Sequence, residues 1–250
     1  MGRYDRNRLY INEDDQDKIK SVSILLGGAG IGSIIAECAL RFGFETITIV
    51  DGDRVEESNL NRQNYTKADI GKYKAETLAR RLLKINPQAK ISFINRFIER
   101  DNIEEIIAEH DIAINALDFC SEIPFEFDRI CGEKRIPVLH PYNFGWAGFL
   151  TVIKPNGYQL KEISEHYEGF ELKMAEFVAR YCSFWNIGHE WLGEIVDNYK
   201  AEDEQLPPPQ LPIASWIAAG QCVQAMYNLV KGKKVLYFPK FYLTTIAGDQ

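Results

Sequence analysis

The chain has 250 residues, an apolar content of 46% and a formal net charge of −7 at pH 7. This length suits one large domain, or one and a half, with a substantial core. The negative charge argues against a broad nucleic-acid-binding surface and a basic membrane-binding surface, although a local cluster of Arg and Lys could still bind a small anion.

The N-terminus and the cysteines bear on the cellular compartment. No apolar run approaches the roughly 20 residues of a membrane span, and the charged first twenty residues are not typical of a secretory signal. The chain contains five cysteines with no C-x-x-C pair, so a zinc ribbon is not expected. An odd number of cysteines without a signal favours reduced thiols and a cytoplasmic protein.

The first half of the chain alternates strand and helix patterns. An apolar run at 21–26 leads into GGAGIG at 27–32, and apolar residues at helical spacing follow as far as Gly43. A helix is predicted from Lys72 to Ile85, and an acidic helix between the third and fourth strands. Further strands are predicted at 45–51, 90–94, 111–117, 136–140 and 149–155. This alternation predicts an α/β fold with a Rossmann-like, doubly wound, mostly parallel sheet.

The second part of the chain has a different composition. Residues after 155 are aromatic and acidic, and LPPPQLP at 206–212 is typical of a stiff connector. A buried helix is predicted at 213–230, and a terminal hairpin from VLYF at 235–238 and FYLTT at 241–245. We therefore expect a core at 1–155 and a second part at 156–250. Residues 156–250 should complete the same domain and supply a substrate or dimer surface.

The glycine-rich segment after the first strand has the pattern of a phosphate-binding loop. A strand, a glycine loop and a helix N-terminus direct backbone N–H groups at an anion. Asp51 follows Gly32 by 19 residues, at the end of the second strand, where a carboxylate can bind ribose hydroxyls. This pattern fits a nicotinamide-dependent dehydrogenase as well as an ATP-dependent enzyme, and a tight turn without a ligand is also possible.

The polar segment after Asp51 favours the ATP-dependent enzyme. Hydride transfer has no need of Asn59, Arg62 and Gln63 just beyond the ribose carboxylate. Attack on the α-phosphate of ATP does need such groups, because charge develops on phosphate oxygens that arginine can bind with two N–H groups. Lys72 and Lys74, at the start of the following helix, are close enough in sequence to reach the same cleft.

Five motifs make the first 155 residues resemble the ThiF/MoeB/HesA family, the bacterial relatives of ubiquitin-activating enzymes. The remaining hundred residues match only loosely. The motifs are RYDRNRLY at 3–10, GGAGIGS at 27–33, DGDRVEESNLNRQ at 51–63, DIGKYKAETLARRLLKINP at 69–87 and NALD at 115–118.

The resemblance implies that residues 1–155 form an ATP-binding adenylation core, and it implies roles for individual residues. Asp118 would hold Mg²⁺, Lys74 would neutralise the phosphates, and Arg6 would reach the α-phosphate, often from the other subunit of a homodimer. The nucleotide-binding residues would be Gly27, Gly28, Gly30, Gly32, Asp51, Asp53, Asn59, Arg62 and Gln63.

The sequence departs from the family pattern at three places. The middle glycine of the loop is Ala29, whose methyl group could push the backbone away from the phosphate. Alternatively, Gly28 adopts the special backbone angle and the methyl is harmless, which is the outcome we favour because Asp51, Arg62, Lys74 and Asp118 are all present. The residue after the metal-binding aspartate, usually polar, is Phe119. The zinc-binding C-x-x-C pairs of many relatives are absent, so zinc is not expected.

Cysteines and histidines give weaker signals. Cys182 is a candidate acceptor for the activated carboxylate, or a bystander thiol with only Arg180 nearby to favour a thiolate. Cys120 follows the metal-binding residue closely, whereas Cys38, Cys131 and Cys222 fit structural positions. His140 could line the cleft or be a core histidine.

Three functional hypotheses follow. The first is ATP- and Mg²⁺-dependent adenylylation of the C-terminal carboxylate of a ubiquitin-like or sulfur-carrier protein, by a homodimer that binds neither nucleic acid nor membrane. The second is a nicotinamide-dependent oxidoreductase. The third is a non-catalytic nucleotide-binding partner, which Ala29 would favour.

Overall fold

A computed structural model describes residues 2–203 and 206–248. A seven-stranded sheet with the order β3-β2-β1-β4-β5-β6-β7 forms the centre of the molecule. Strands β1 to β5 pair in parallel, and β6 and β7 add to the edge in antiparallel pairing, so the predicted mostly parallel α/β sheet is confirmed. The strands are β1 Ser23–Gly27, β2 Thr46–Val50, β3 Lys90–Ile94, β4 Ile112–Asn115, β5 Val138–Phe144, β6 Ala147–Ile153 and β7 Phe241–Thr244.

Within the described residues, eight α-helices cover the two faces of the sheet. They are α1 Glu13–Ser21, α2 Gly32–Phe42, α3 Lys74–Ile85, α4 Ile103–Ile107, α5 Ile123–Glu133, α6 Phe170–Phe184, α7 Glu190–Lys200 and α8 Pro212–Val230. One hydrophobic core lies between the sheet and helices α1, α2, α3 and α8. A second core lies between the sheet and helices α4 to α7.

The strand sequences explain the two cores. Successive side chains of a strand point to opposite faces, so a central strand covered on both sides must be apolar at every position. In β1, Ile24 and Leu26 belong to the first core, and Leu25 belongs to the second. None of the described helices combines the length and apolar character that crossing a membrane requires.

The helix boundaries follow local backbone chemistry. Gly43 ends α2 as predicted, because its φ of 127° is costly for a side chain and its N–H donates to the carbonyls of Ala39 and Leu40. Helix α3 begins two residues later than the predicted Lys72. Tyr73 pairs with Arg54 in a β-bridge, and the N–H of Val55 donates to the carbonyl of Lys72, which keeps both residues extended.

The predicted terminal hairpin is wrong. Only its second arm is a strand, and β7 pairs with β6 rather than with residues 235–238. Val235 and Phe238 are buried instead in the first and second cores, respectively. The segment is held by the Phe238 N–H, which donates to the Val152 carbonyl, and by the Leu236 N–H, which donates to the Tyr242 hydroxyl. The apolar residues therefore serve core packing rather than strand pairing.

Candidate active site

A cavity of about 910 Å³ opens at the carboxyl ends of β1, β2 and β4. The chain runs outward from β1 to β3 on one side and then crosses to β4 on the other. The strand order reverses between β1 and β4, and such a switch point leaves a crevice in which open α/β sheets bind ligands. Ten residues that the sequence analysis considered line this cavity: Gly28, Gly30, Asp51, Asp53, Asn59, Arg62, Gln63, Lys74, Asp118 and Cys120.

The glycine loop combines close backbone approach with tight packing. Gly28 has a φ of 91°, and a Cβ built there would lie 2.3 Å from the carbonyl oxygen of Ala116. A Cβ on Gly32 would lie 2.8 Å from the side chain of Leu26. Gly28 and Gly30 line the cavity, whereas Gly27 and Gly32 do not. The lack of a side chain at Gly32 lets α2 pack closely on Leu26 of β1.

Ala29 occupies an ordinary backbone conformation, because the positive φ falls on Gly28. Its side chain is fully buried in the first core and does not line the cavity. Its carbonyl accepts from the Tyr65 hydroxyl at 2.8 Å, and its N–H donates to Asp51 Oδ2 at 2.6 Å. The methyl group therefore points away from the phosphate-binding side of the loop.

Replacing Ala29 with glycine is expected to change the dissociation constant for ATP by less than about threefold. The methyl does not obstruct the cavity, so its removal opens no space for the phosphates. The variant should also unfold at a lower temperature, because it loses a buried methyl and gains backbone freedom in the unfolded chain, each worth roughly 0.5–1 kcal/mol. Calorimetric titration with ATP and thermal unfolding measure the two effects. ATP binding seen only in the glycine variant would contradict this interpretation.

Asp51 is held in one orientation beside the loop. Its side chain accepts from the Ala29 N–H through Oδ2 and from the Asp53 N–H, at 2.7 Å, through Oδ1. Burial raises the pKa of Asp51, and the two backbone hydrogen bonds and the charge of Lys74 oppose that rise. A carboxylate has about four acceptor positions. Two acceptor positions of the Asp51 carboxylate therefore remain available for ribose hydroxyls.

Two cations lie at the cavity wall. Lys74, which is 8% exposed, forms an ion pair with Asp53 at 2.9 Å from Nζ to Oδ2. Arg62 donates to the carbonyl of Ser58 at 2.8 Å and to Gln210 Oε1 at 2.5 Å. Burial raises the pKa of the Asp118 carboxyl, and both cations are close enough to oppose that rise. The cavity therefore brings together the charges that polyphosphate binding requires.

The two amide side chains differ in their readiness to bind a ligand. The oxygen of Asn59 accepts from the Glu56 N–H at 3.0 Å and closes the 3₁₀ turn at Glu57–Asn59. Its amide N–H₂ is the part that can donate to a phosphate. Gln63 lies over Gly30, and its Oε1 is buried with no hydrogen-bond partner among the described residues. An amide oxygen accepts and cannot bind a phosphate oxygen, so the part of Gln63 that can bind a phosphate is its amide N–H₂, which lies beside Gly30.

Asp118 is accessible from the cavity. Desolvation by the surrounding protein raises its pKa, as does the nearby carboxylate of Glu171. The described residues hold no cluster of three or more His, Cys, Asp or Glu side chains that could bind a metal. One carboxylate completed by phosphate oxygens and water is nevertheless an arrangement that Mg²⁺ accepts. The residues fit a magnesium ion that binds together with a nucleotide.

Other sequence candidates lie elsewhere. Arg6, in the 3₁₀ helix Asp5–Asn7, is exposed and does not line this cavity. Cys182 is 2% exposed in the second core, and burial raises the pKa of its thiol. His140 is a core histidine, 1% exposed, with Nε2 2.8 Å from Asp128 Oδ1. Cys120 is exposed at the cavity, but its position there does not make it reactive.

The region after residue 155 contributes a wall that sequence reasoning missed. Leu192, Val196 and Tyr199 line the cavity from α7, and Pro207 to Gln210 line it from the connector. The spacing of four and three residues along α7 is a helical stripe that could have been recognised. Glu171 on α6 also lines the cavity, and no sequence motif marks it.

Comparisons with known protein sequences identify related proteins. The model described as "ThiF family" matches residues 4–247. The SAMP-activating enzyme E1 of Haloferax volcanii is 26% identical over 63% of this chain and 59% of its own length. The molybdopterin-synthase adenylyltransferase of Haemophilus influenzae is 28% identical over 70% of this chain and 74% of its own. The sulfur carrier protein ThiS adenylyltransferase of Bacillus subtilis is 35% identical over 58% of this chain and 43% of its own.

Solved structures support the fold over nearly the whole chain. Escherichia coli MccB with ATP has a TM-score of 0.69 and 19% identity, covering 98% of this chain and 72% of that one. PaaA has a TM-score of 0.66 and 20% identity, covering 93% of this chain and 63% of that one. At these identities the likeness concerns the fold alone. The chain also spans less than two thirds of two of the three relatives named above.

Proposed function

The chain belongs to the ThiF family, and from this premise we propose that it adenylylates the C-terminal carboxylate of a protein or peptide with ATP and Mg²⁺. The substrate is a ubiquitin-like or sulfur-carrier protein. The observation that supports this proposal most strongly is the arrangement of five residues around one cavity at the switch point of the sheet: Gly28, Asp51, Arg62, Lys74 and Asp118.

The cavity supports one orientation of the nucleotide. The phosphates would lie against the loop at Gly28 and Gly30, near the N-terminus of α2, where backbone N–H groups and the helix dipole favour anions. Asp51, already fixed by two backbone N–H groups, would accept hydrogen bonds from the ribose hydroxyls. Gln63 would then lie over the loop near Gly30, where its side-chain amide N–H₂ could donate to a phosphate oxygen.

The reaction is an in-line displacement at the α-phosphorus. One oxygen of the substrate carboxylate forms the new bond to phosphorus, the bond to the bridging oxygen breaks, and pyrophosphate leaves. Arg62 and Lys74 would bind the phosphate oxygens on which charge accumulates, and Asp118 would hold Mg²⁺, which neutralises charge on the pyrophosphate. Positioning and fixed charges supply most of the acceleration in such a site.

Assembly and location belong to the same proposal. Arg6 is exposed and does not line the cavity of its own chain, which suits the role of an arginine donated across a homodimer. A cytoplasmic location is consistent with free thiols at all five cysteines. A role for zinc is not proposed. Size-exclusion chromatography with light scattering of the wild type and of Arg6→Ala would test whether the protein is a dimer. The activity of mixed dimers of wild-type and Arg6→Ala subunits would test whether Arg6 acts in the site of the other subunit.

The oxidoreductase hypothesis has less support. The named relatives from Haemophilus influenzae and Bacillus subtilis are adenylyltransferases. The polar groups that follow Asp51 also line the cavity. A nicotinamide bound there would meet the charged side chains of Arg62, Lys74 and Asp118 rather than a proton donor suited to hydride transfer. A fluorescence titration with NADH should therefore show no saturable binding.

The proposal is tested by the exchange of labelled pyrophosphate into ATP. Exchange should require Mg²⁺ and a substrate with a free C-terminal carboxylate, and should disappear when that carboxylate is amidated. A panel of ubiquitin-like proteins, sulfur-carrier proteins and short peptides identifies the class. ATP binding without exchange for every member of the panel would favour the non-catalytic nucleotide-binding partner instead.

A further inference from the structure

The loop that carries Asp118 is held by a hydrogen bond to a helix that lies after residue 155, outside the five sequence motifs. The N–H of Phe119, the residue after Asp118, donates to Glu171 Oε1 at 2.9 Å. Glu171 lies in the first turn of α6, 52 residues further along the chain. It is half-buried and lines the same cavity as Asp118.

Aromatic packing strengthens this attachment. Phe119 stacks on Phe170, the residue before Glu171, with ring centroids 4.4 Å apart. Phe125 packs edge-on against both rings, at 5.2 Å from Phe119 and 5.0 Å from Phe170. All three rings are at most 5% exposed. Aromatic pairs of this kind stabilise a structure beyond the effect of their buried area, so Phe119 serves as an anchor for the loop.

The other end of the loop is fixed independently. The N–H of Ala116 donates to the carbonyl of Gly27 at 2.8 Å. The side-chain amide of Asn115 donates to the carbonyl of Pro124 at 2.9 Å and to Asp128 Oδ1 at 3.0 Å. Leu117 and Asp118 therefore lie between two anchors. Glu171 supplies the polar contact at the second anchor.

From this geometry we infer that Glu171 is a positioning residue, which holds the backbone after Asp118 so that the Asp118 carboxylate faces the cavity in the orientation that receives a phosphate-bound Mg²⁺. The role deepens the proposed function and rests on it. It assigns α6, which lies outside the five sequence motifs, an indirect part in nucleotide activation through Asp118. Partners that orient a metal ligand from outside the coordination shell typically contribute 10–100-fold in metal affinity or activity.

The geometry separates positioning from direct metal binding by Glu171. Positioning requires an acceptor oxygen at the Oε1 position, which glutamine also provides. Direct coordination requires the negative charge, which glutamine lacks. Glu171→Gln should therefore still accept the hydrogen bond from the Phe119 N–H, and Glu171→Ala should not.

Amide hydrogen exchange tests the hydrogen bond between the Phe119 N–H and Glu171 in the absence of nucleotide and metal. In Glu171→Ala, the Phe119 amide should exchange at least about tenfold faster than in the wild type, because it loses its acceptor. In Glu171→Gln its rate should stay within about threefold. Glu194→Ala on α7 is the control, since that carboxylate is exposed and outside the cavity lining. Equal protection in the alanine variant and the wild type would overturn the inference.

Pyrophosphate exchange over a range of Mg²⁺ concentrations tests the functional consequence. The Mg²⁺ concentration for half-maximal exchange should rise about 10-fold or more in Glu171→Ala, with a smaller change in the rate at saturating Mg²⁺. Glu171→Gln should remain within about threefold. A different result would overturn positioning: Glu171→Gln needs as much Mg²⁺ as Glu171→Ala, although its Phe119 amide is still protected from exchange. Glu171 would then act through its negative charge. If the wild type shows no pyrophosphate exchange with any substrate, the proposed function fails. Hydrogen exchange still decides whether Glu171 holds the Phe119 N–H.

Discussion

Replacing Arg62 with alanine is expected to lower pyrophosphate exchange by about 10²–10³-fold, the usual effect of removing one preorganised donor to a developing anion. Lys74→Ala should have an effect of similar size. Each change also removes a charge-assisted contact worth roughly 1.5–3 kcal/mol in binding.

The fold should tolerate both substitutions. Arg62 is only half-buried, and its hydrogen bonds go to Ser58, Asn61 and Gln210 at the cavity rim. Lys74 is buried, but its partner Asp53 keeps 46% of its side chain exposed and can be solvated after the change. Thermal unfolding checks this expectation, so that lost activity is not mistaken for lost structure.

Arg80→Ala is the matched control for the two cations. Arg80 lies on α3 with 73% of its side chain exposed and pairs with Glu76 one turn away. An exposed pair of this kind contributes little to stability, and Arg80 does not line the cavity. Near-wild-type exchange by Arg62→Ala or Lys74→Ala would show that the family role does not transfer to that position.

Replacing Asp118 with asparagine should raise the Mg²⁺ concentration for half-maximal exchange by at least about tenfold, since even an outer-shell partner commonly contributes that much. The amide keeps the size of the side chain but lacks the charge that a hard cation prefers. Exchange measured as a function of Mg²⁺ and of Mn²⁺ reports the change. An unchanged metal requirement would contradict the assignment of Asp118.

The same variant should be at least as heat-stable as the wild type without nucleotide. The wild-type carboxylate is desolvated, and the carboxylates of Glu171 and Asp53 repel it. Asparagine removes that repulsion. A gain or no loss in melting temperature together with a large loss of activity is typical of a functional group held at a cost to stability. Asp101→Asn, at an exposed carboxylate outside the cavity, is the control.

The sequence predicted the parts of the fold and site that depend on local pattern. The strands β1, β2 and β4 are apolar enough to be covered on both faces, and the acidic and polar residues that follow them meet at one edge of the sheet. The nucleotide motif and phosphate chemistry placed Asp51, Arg62 and Lys74 at one cleft, and the family resemblance added Asp118; all four line the same cavity. The conformation of the glycine loop also followed from local chemistry, because Gly28 could adopt the positive φ that Ala29 avoids.

Long-range contacts were not predictable from the sequence. Residues 235–238 have the apolar pattern of a strand, yet Val235 and Phe238 fill two different cores, and only the tertiary structure decides between pairing and packing. Glu171 meets Phe119 across 52 residues of chain, with no motif to indicate the contact. The connector was predicted to be stiff, but nothing in its prolines indicated that Gln210 would bind Arg62.

A crystal structure of the protein with ATP and Mg²⁺ tests the central claim most directly. The account predicts phosphates against Gly28 and Gly30, ribose hydroxyls within hydrogen-bonding distance of Asp51, and a magnesium ion shared by Asp118 and phosphate oxygens. Arg62 and Lys74 should contact the phosphates, and the α-phosphorus should face the part of the cavity lined by α7. A nucleotide bound outside this cavity, or a magnesium ion held elsewhere with Asp118 turned away, would contradict the account.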